Sequence, residues 1–271
     1  MPLYRDAAIV LRTHPLGEAD RIVTMLGHQR GKVRAVAKGV RRTRSRFGAR
    51  LEPAMVVDVQ CYEGRSLDTI TQAESMATYG EAISRDYAGW VCAQVMCETA
   101  DSLLDEGEPN PPQFRLLAGA LSALAAGQWP ADVLMDAYLL RAMAVAGWPM
   151  ATRDCAACGA PGPHRGVHVA AGGVVCPSCR RAGAWAPHPD SIRLLDALGE
   201  SHWSTVREVL GTEGAASRRR EVQELVTAHL QWHTDRQVRS VRHLDPDLVL
   251  TGPGPVQPTE HAAPSAETTG Q

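Results

Sequence analysis

The sequence predicts an α+β protein: a small N-terminal β-barrel followed by a helical body with an embedded four-cysteine metal module. Three observations predict it. Residues 1–80 are a series of β-branched runs of strand length, separated by turn chemistry. After Tyr79 the apolar residues change to helical spacing. Four of the seven cysteines form two C-x-x-C pairs. A chain of 271 residues with 44% hydrophobic side chains is long and apolar enough to bury cores of this kind.

The strand runs are "DAAIVLR", "DRIVTML", "GKVRAVAKG", "MVVDVQCY" and "SLDTITQAE". "HPLGEAD" separates the first two, and "GHQRG" the second from the third. Val57, Val59 and Cys61 alternate with Asp58 and Gln60, the pattern of a half-buried strand. Five short strands fit a five-stranded oligonucleotide-binding barrel, and an SH3-like barrel reads almost identically.

Helical spacing then takes over. Cys92, Val95, Met96, Thr99 and Leu103 share one face, and "EGEPNPPQ" reads as a loop between helices. "PADVLMDAYLLRAMAVAGWP" opens on Pro130 and Asp132 and closes on Gly147 and Pro149. It is apolar nearly all round, which places it at the centre of a bundle. Helices resume after His188, and Val222, Leu225, Val226, His229 and Leu230 form a further stripe. From residue 245 the chain is rich in Pro, Gly, Thr and Ala, the composition of a disordered tail. The expected division is therefore a nucleic-acid-binding barrel over 1–80, a helical domain over 81–244 with its metal module at 153–183, and a tail over 245–271.

Charge is distributed unevenly. The formal net charge is −2, yet residues 21–51 contain ten Lys or Arg and no Asp or Glu. Lys32, Arg34 and Lys38 fall on the third strand; Arg41, Arg42, Arg44, Arg46 and Arg50 follow in the next loop, between Gly39 and Gly48. Only two of the 28 basic residues are Lys, so Arg usage alone carries no weight; the clustering does. Like charges so close repel one another, and an external polyanion would relieve them. Neutralising about six phosphates makes affinity fall roughly a thousandfold or more between about 50 and 200 mM salt. Aromatic stacking platforms are scarce. Phe47, set among the arginines, is the best stacking candidate, with a core-facing Phe47 as the alternative. A solvated loop and an anionic protein partner are the other readings of the segment.

Cys155, Cys158, Cys176 and Cys179 form a C-x2-C-x17-C-x2-C array. Two intervening residues let one tight turn aim both sulfurs at a single ion. Gly159 follows the first knuckle, and Gly172 and Gly173 turn the chain back, as in a zinc ribbon. Four thiolates would fill the tetrahedral shell of Zn²⁺ and leave no open position, which describes a structural site. Arg153, Arg180 and Arg181 are placed to offset the resulting charge. An iron–sulfur cluster or a redox dithiol would use the same residues. His164 and His168 lie in the intervening loop as weaker ligand candidates, and Cys61, Cys92 and Cys97 read as small buried residues.

Several classes are disfavoured. "GHQRGKV" resembles a phosphate loop, but Gly27 and Gly31 are one residue too close and Val33 stands where Ser or Thr would hold magnesium. There is no H-E-x-x-H, no G-x-S-x-G and no acidic cluster of the two-metal nuclease kind. An enzyme is not expected. No run approaches the roughly 18 apolar residues of a membrane span, the N-terminus lacks a secretory pattern, and the cysteine usage suits a reducing cytoplasm.

Three stretches together resemble one family. "LGEADRIVTMLGHQRGKVRAVAKGVRRTRSRFGARLEP" is similar to the N-terminal signature of RecO, the bacterial recombination mediator. "YEGRSLDTITQAE" resembles the next strand pair of its barrel, and the cysteine quartet with "GG" before the second knuckle resembles the zinc module of many RecO proteins. The resemblance spans roughly residues 1–240. It implies an oligonucleotide-binding barrel, a helical middle and one structural Zn²⁺ on Cys155, Cys158, Cys176 and Cys179. It further implies DNA repair and recombination: binding of single- and double-stranded DNA, strand annealing without catalysis, RecR and the single-strand-binding protein as partners, and RecA loaded onto coated strands. Lys32, Arg34, Lys38, Arg41, Arg42, Arg44, Arg46, Phe47 and Arg50 match the family's DNA-facing region. The expected location is the cytoplasm, at the nucleoid. The rival reading is a zinc-containing RNA-binding protein, or a scaffold whose basic loop docks an acidic partner.

Overall fold

The computed structural model describes residues 2–77, 79–234 and 240. Five strands, β1 (Leu3–Leu16), β2 (Asp20–Gly27), β3 (Gly31–Ala37), β4 (Val56–Tyr62) and β5 (Asp68–Ala77), close a barrel in the order β1-β2-β3-β5-β4. All neighbours are antiparallel except β3 and β5, which meet in parallel through Ala35↔Asp68 and Val36↔Thr69. Closure with this order is the oligonucleotide-binding architecture. β1 is longer than its apolar run. The expected connection at 14–20 shrinks to residues 17–19, because Pro15↔Arg21 and Leu16↔Asp20 continue the ladder beyond the packed core. There the backbone is satisfied while the side chains stay in water.

The alternation in β4 is as the sequence indicates: Val57, Val59 and Cys61 point into the barrel. β1 is different, because both its faces are buried. Ala8 and Val10 join the barrel interior, whereas Ile9 and Leu11 join the core of the helical body, together with Leu26 and Val56. This explains the unbroken "AIVL": a strand shared by two cores has no polar side.

The helical body comprises α1 (Tyr79–Ile83), α2 (Tyr87–Leu103), α3 (Pro111–Ala126), α4 (Ala131–Val145), α5 (Pro189–Gly199), α6 (Trp203–Leu210) and α7 (Ala215–His233). Asp86 caps α2 by accepting from the Gly89 N–H at 2.8 Å. Asn110 caps α3 in the same way, and Pro111 and Pro112 occupy its first turn, where no N–H is needed. The last part of "EGEPNPPQ" is therefore helix. As its composition indicates, α4 is central, packing against α2, α3, α5 and α7. Arg219 of α7 reaches Asp132 of α4 through a two-point contact, with Nε 2.7 Å from Oδ2. One turn further on, burial first and the Asp132 charge second hold the Asp136 carboxyl well above its ordinary range.

Barrel and helices are clamped by charge and by backbone. Lys32 Nζ donates to the Asp101 carbonyl at 2.6 Å and lies 3.3 Å from Asp101 Oδ1; Arg12 Nε lies 2.6 Å from Asp101 Oδ2. The Gly107 N–H donates to the Lys32 carbonyl at 2.9 Å. Gly31 has φ +68°, and a Cβ there would sit 1.9 Å from the Glu108 carbonyl oxygen. No other residue fits.

Between α4 and α5 lies a small module with β6 (Gly166–His168) and β7 (Gly173–Val175). Val167 and Val174 belong to the helical core, so the module is seated on it rather than tethered to it. The tail expected from residue 245 lies outside the described residues, as does most of the chain beyond Thr234. No helix among the described residues is long and apolar enough to cross a membrane.

Phe47 is only 1% exposed and packs inside the barrel with Val40 and Leu51. Truncation by Phe47→Ala should cost about 3–5 kcal/mol. Urea unfolding of the variant checks this, and a loss below 1 kcal/mol, the size expected at a surface platform, would contradict the placement.

Candidate nucleic-acid interface and metal centre

The segment joining β3 to β4 has little regular structure beyond a 3-10 turn at Gly48–Leu51. Three apolar residues, Val40, Phe47 and Leu51, sink into the barrel and fix its course. At its start, the Gly39 N–H donates to Asp20 Oδ1 at 2.7 Å and the Arg41 N–H to the Ala19 carbonyl at 3.0 Å. The Arg41 guanidinium reaches the Gly17 carbonyl at 3.2 Å. The tip of the β1–β2 hairpin and the basic loop are thus one surface. At the loop's end, Ala54 and Met55 exchange backbone hydrogen bonds with Val10, both 2.9 Å long.

The ten cations of residues 21–51 separate into two groups. Arg21 pairs with Glu52 at 2.6 Å, Arg30 with Glu63 at 3.3 Å, Lys32 with Asp101, and Arg34 with Glu106 at 3.7 Å. These acids all lie outside the segment in sequence. Their part in relieving its charge is missing from the sequence reading, and only Glu52, immediately next to the run, offered a signal. Lys38, Arg41, Arg42, Arg44, Arg46 and Arg50 are all exposed, and none is ion-paired among the described residues. Arg50 donates to the Arg46 carbonyl at 3.1 Å, and the Arg46 guanidinium lies 4.9 Å from the centre of the Phe47 ring.

Two of the residues expected to face DNA do not reach the surface. Phe47 is a core residue whose ring closes the barrel interior and cannot stack on a base. The Lys32 side chain is 7% exposed and committed to Asp101 of α2. Arg34 is on the boundary, partly exposed and paired with Glu106. The free charge is concentrated in Lys38 and the loop arginines.

The second site is the cysteine quartet. The Sγ atoms of Cys155, Cys158, Cys176 and Cys179 all lie within 4.8 Å of one another, with Cys158 and Cys176 at 3.8 Å. Zn–S bonds of about 2.3 Å in a tetrahedron require sulfurs about 3.8 Å apart, so the donor set fits such an ion. No two of the cysteines are joined by a disulfide. The local turns aim them. The Gly159 N–H donates to the Cys155 carbonyl at 2.8 Å, and the Cys179 N–H to that of Cys176 at 3.1 Å. The Cys176 N–H donates to Cys155 Sγ at 3.3 Å, and this bond first of all lowers the Cys155 thiol to about 6. Hydrogen bonding among the sulfurs holds Cys179 up, at about 12. Four thiols this close cannot all ionise without a cation between them.

Gly173 brings the second knuckle home. A Cβ there would lie 2.1 Å from the Ala151 carbonyl oxygen, because residue 151 pairs directly alongside it. Thr152 Oγ1 donates to Asp196 Oδ1 of α5 at 2.7 Å, and Arg153 makes two hydrogen bonds to the same carboxylate at 2.9 and 3.0 Å. Arg153 is therefore tied to α5, leaving Arg180 and Arg181, both exposed, near the thiolates. His164 is hydrogen-bonded to the Ala160 carbonyl, and neither it nor His168 joins the cluster. Cys61, Cys92 and Cys97 are buried, and burial pushes their thiols up, to about 11 at Cys61 and about 12 at Cys97.

Single substitutions Cys155→Ser and Cys176→Ser should each abolish stoichiometric metal binding and loosen the helical half of the chain. Metal per chain by elemental analysis, with thermal unfolding, checks both; full metal retention by both variants would contradict a four-sulfur site.

Two family models cover this architecture. The one described as Recombination protein O N terminal matches residues 1–79, and the one described as Recombination protein O C terminal matches residues 84–242. The barrel with its arginine loop and the helical body with its cysteine quartet each fall within one of them, and the chain belongs to the recombination protein O (RecO) family.

Proposed function

We propose that this protein is a non-enzymatic recombination mediator that binds DNA strands, anneals complementary ones, and helps load RecA onto strands coated by the single-strand-binding protein. Family membership supports the coarse statement, a mediator of DNA repair and recombination. One observation carries the finer one: six exposed cations without carboxylate partners among the described residues, displayed on a loop whose apolar residues are sunk into the barrel. In this reading residues 1–80 form the nucleic-acid-binding domain. Arg34, Lys38, Arg41, Arg42, Arg44, Arg46 and Arg50 contact phosphates.

The physical task of annealing is electrostatic. Two complementary strands repel through their phosphates, and a dense guanidinium surface screens that repulsion while the bases pair. Phosphate contacts position a strand without reading its sequence, which suits a reaction that must accept any sequence. Because the loop is already folded against the barrel, little backbone ordering opposes binding. No bond to DNA needs to be made or broken.

The four cysteines hold a zinc ion, whose role is to fix the ribbon and the ends of α4 and α5 around it. The helical domain of residues 81–244 offers surface for RecR and the single-strand-binding protein, and the setting is the cytoplasm, at the nucleoid.

Reversing the charge of Arg41, Arg42 and Arg44 to Glu should abolish annealing and leave the circular dichroism spectrum unchanged, since none of the three side chains is buried. Wild-type affinity for single strands should fall roughly a thousandfold or more from about 50 to 200 mM salt, and the variant should show a shallower slope. Unchanged annealing in the folded variant would exclude this loop as the DNA surface.

A further inference from the structure

The last turns of α7 carry a pair of histidines that neither the basic loop nor the cysteine quartet uses. His229 and His233 stand one turn apart in the stretch "HLQWH", so both rings project from one face of the helix. Their ring centres are 4.6 Å apart, with the planes at 64°. His229 is only 1% exposed. His233 is half-buried, and the ring of Trp148 stacks on it at 5.7 Å.

The hydrogen bonding of this pair is incomplete. His229 Nε2 lies 3.1 Å from the Trp148 carbonyl. A carbonyl only accepts, so Nε2 carries the proton, and in a neutral ring Nδ1 is then a bare lone pair. Burial above all holds His229 below the usual imidazole range, which keeps the ring neutral. His229 Nδ1 and His233 Nε2 are both shut off from solvent, and neither has a partner among the described residues. Buried polar atoms without partners are rare, and two on adjacent side chains point to a common occupant. The bond from Nε2 to a backbone carbonyl is also the arrangement that fixes the tautomer and aim of a metal-bound imidazole.

We propose that His229 Nδ1 and His233 Nε2 chelate a second metal ion, a divalent cation of the Zn²⁺, Ni²⁺ or Co²⁺ class, separate from any ion on the four cysteines. Imidazole nitrogen selects that class over Mg²⁺ and Ca²⁺, which take oxygen ligands. The cysteine quartet is the one cluster of three or more ligand side chains among the described residues. The remaining positions on the histidine-bound ion therefore fall to water, entering from the half-buried His233 side. Such an ion exchanges readily, unlike one enclosed by four thiolates. Its place gives it structural reach. Trp148 lies three residues before Ala151, which pairs with Gly173 ahead of the second knuckle, and α7 packs on the turn Val169–Ala171 of the same module. The ion braces the end of α7 against the seat of the cysteine module.

The test uses the full chain with its cysteine site filled with zinc and excess metal removed. Calorimetric titration with Ni²⁺ should show one further equivalent per chain. His233→Ala and His229→Gln should each weaken that binding at least about tenfold, while elemental analysis finds the zinc of the cysteine site unchanged. In the wild-type protein labelled with ¹⁵N at histidine, addition of Zn²⁺ should shift His229 Nδ1 and His233 Nε2 and leave the proton on His229 Nε2. That readout does not depend on any variant folding. No further equivalent of metal, binding unaffected in both variants, or imidazole signals that stay in place would overturn the second site and assign an internal water to the two nitrogens. Because zinc on the cysteines is counted separately, failure of the histidine site leaves the four-sulfur site standing.

Discussion

Six like charges on one short loop will not stay together without a force that opposes their repulsion. In this protein that force is burial: Val40, Phe47 and Leu51 hold the loop by placing its apolar side chains inside the barrel. Each guanidinium is exposed because a neighbour in the chain is not. The charge surface and the barrel core are therefore one construction, in which the same residues that complete the interior determine where the cations stand. Loss of the anchor would release the loop into an extended, self-repelling coil without removing a single charge.

The second constraint is the shared strand. β1 contributes alternate residues to two cores, and the clamp of Lys32 and Arg12 on Asp101 reinforces the same junction. A buried ion pair of this kind adds little net stability relative to apolar residues, but breaking one side of it costs about 3–5 kcal/mol, so it fixes alignment. At the metal module, Asp196 does similar work through neutral and charged partners, tying residues 152 and 153, just before the first knuckle, to α5. The cysteine cluster and the barrel are thus held to a common helical frame from opposite directions in the sequence.

Much of this was legible in the sequence, and the reasons differ from residue to residue. Val57, Val59 and Cys61 announce a one-sided strand because period-two alternation is a local signature. The cysteine quartet is legible because ligand spacing is itself local geometry. The fate of Phe47 was not, since an aromatic flanked by arginines reads the same whether it faces a base or a barrel. Lys32 was hidden for a related reason. Its partner Asp101 is distant in sequence, and nothing near either residue indicates the other. The same holds for Glu63 and Glu106, which neutralise Arg30 and Arg34 only once the chain has folded. Charge counted along a sequence overstates charge presented to a ligand wherever long-range pairs exist.

Gly31 fits against the Glu108 carbonyl with no room for one more carbon atom. Two bodies in contact at such a point can neither swivel nor slide past each other without first separating. The helices and the arginine-bearing barrel meet backbone to backbone here, so a change in the angle between them has first to break this contact. A single methyl group added at residue 31 would therefore have to push the barrel off the helices, and the arginine loop with it.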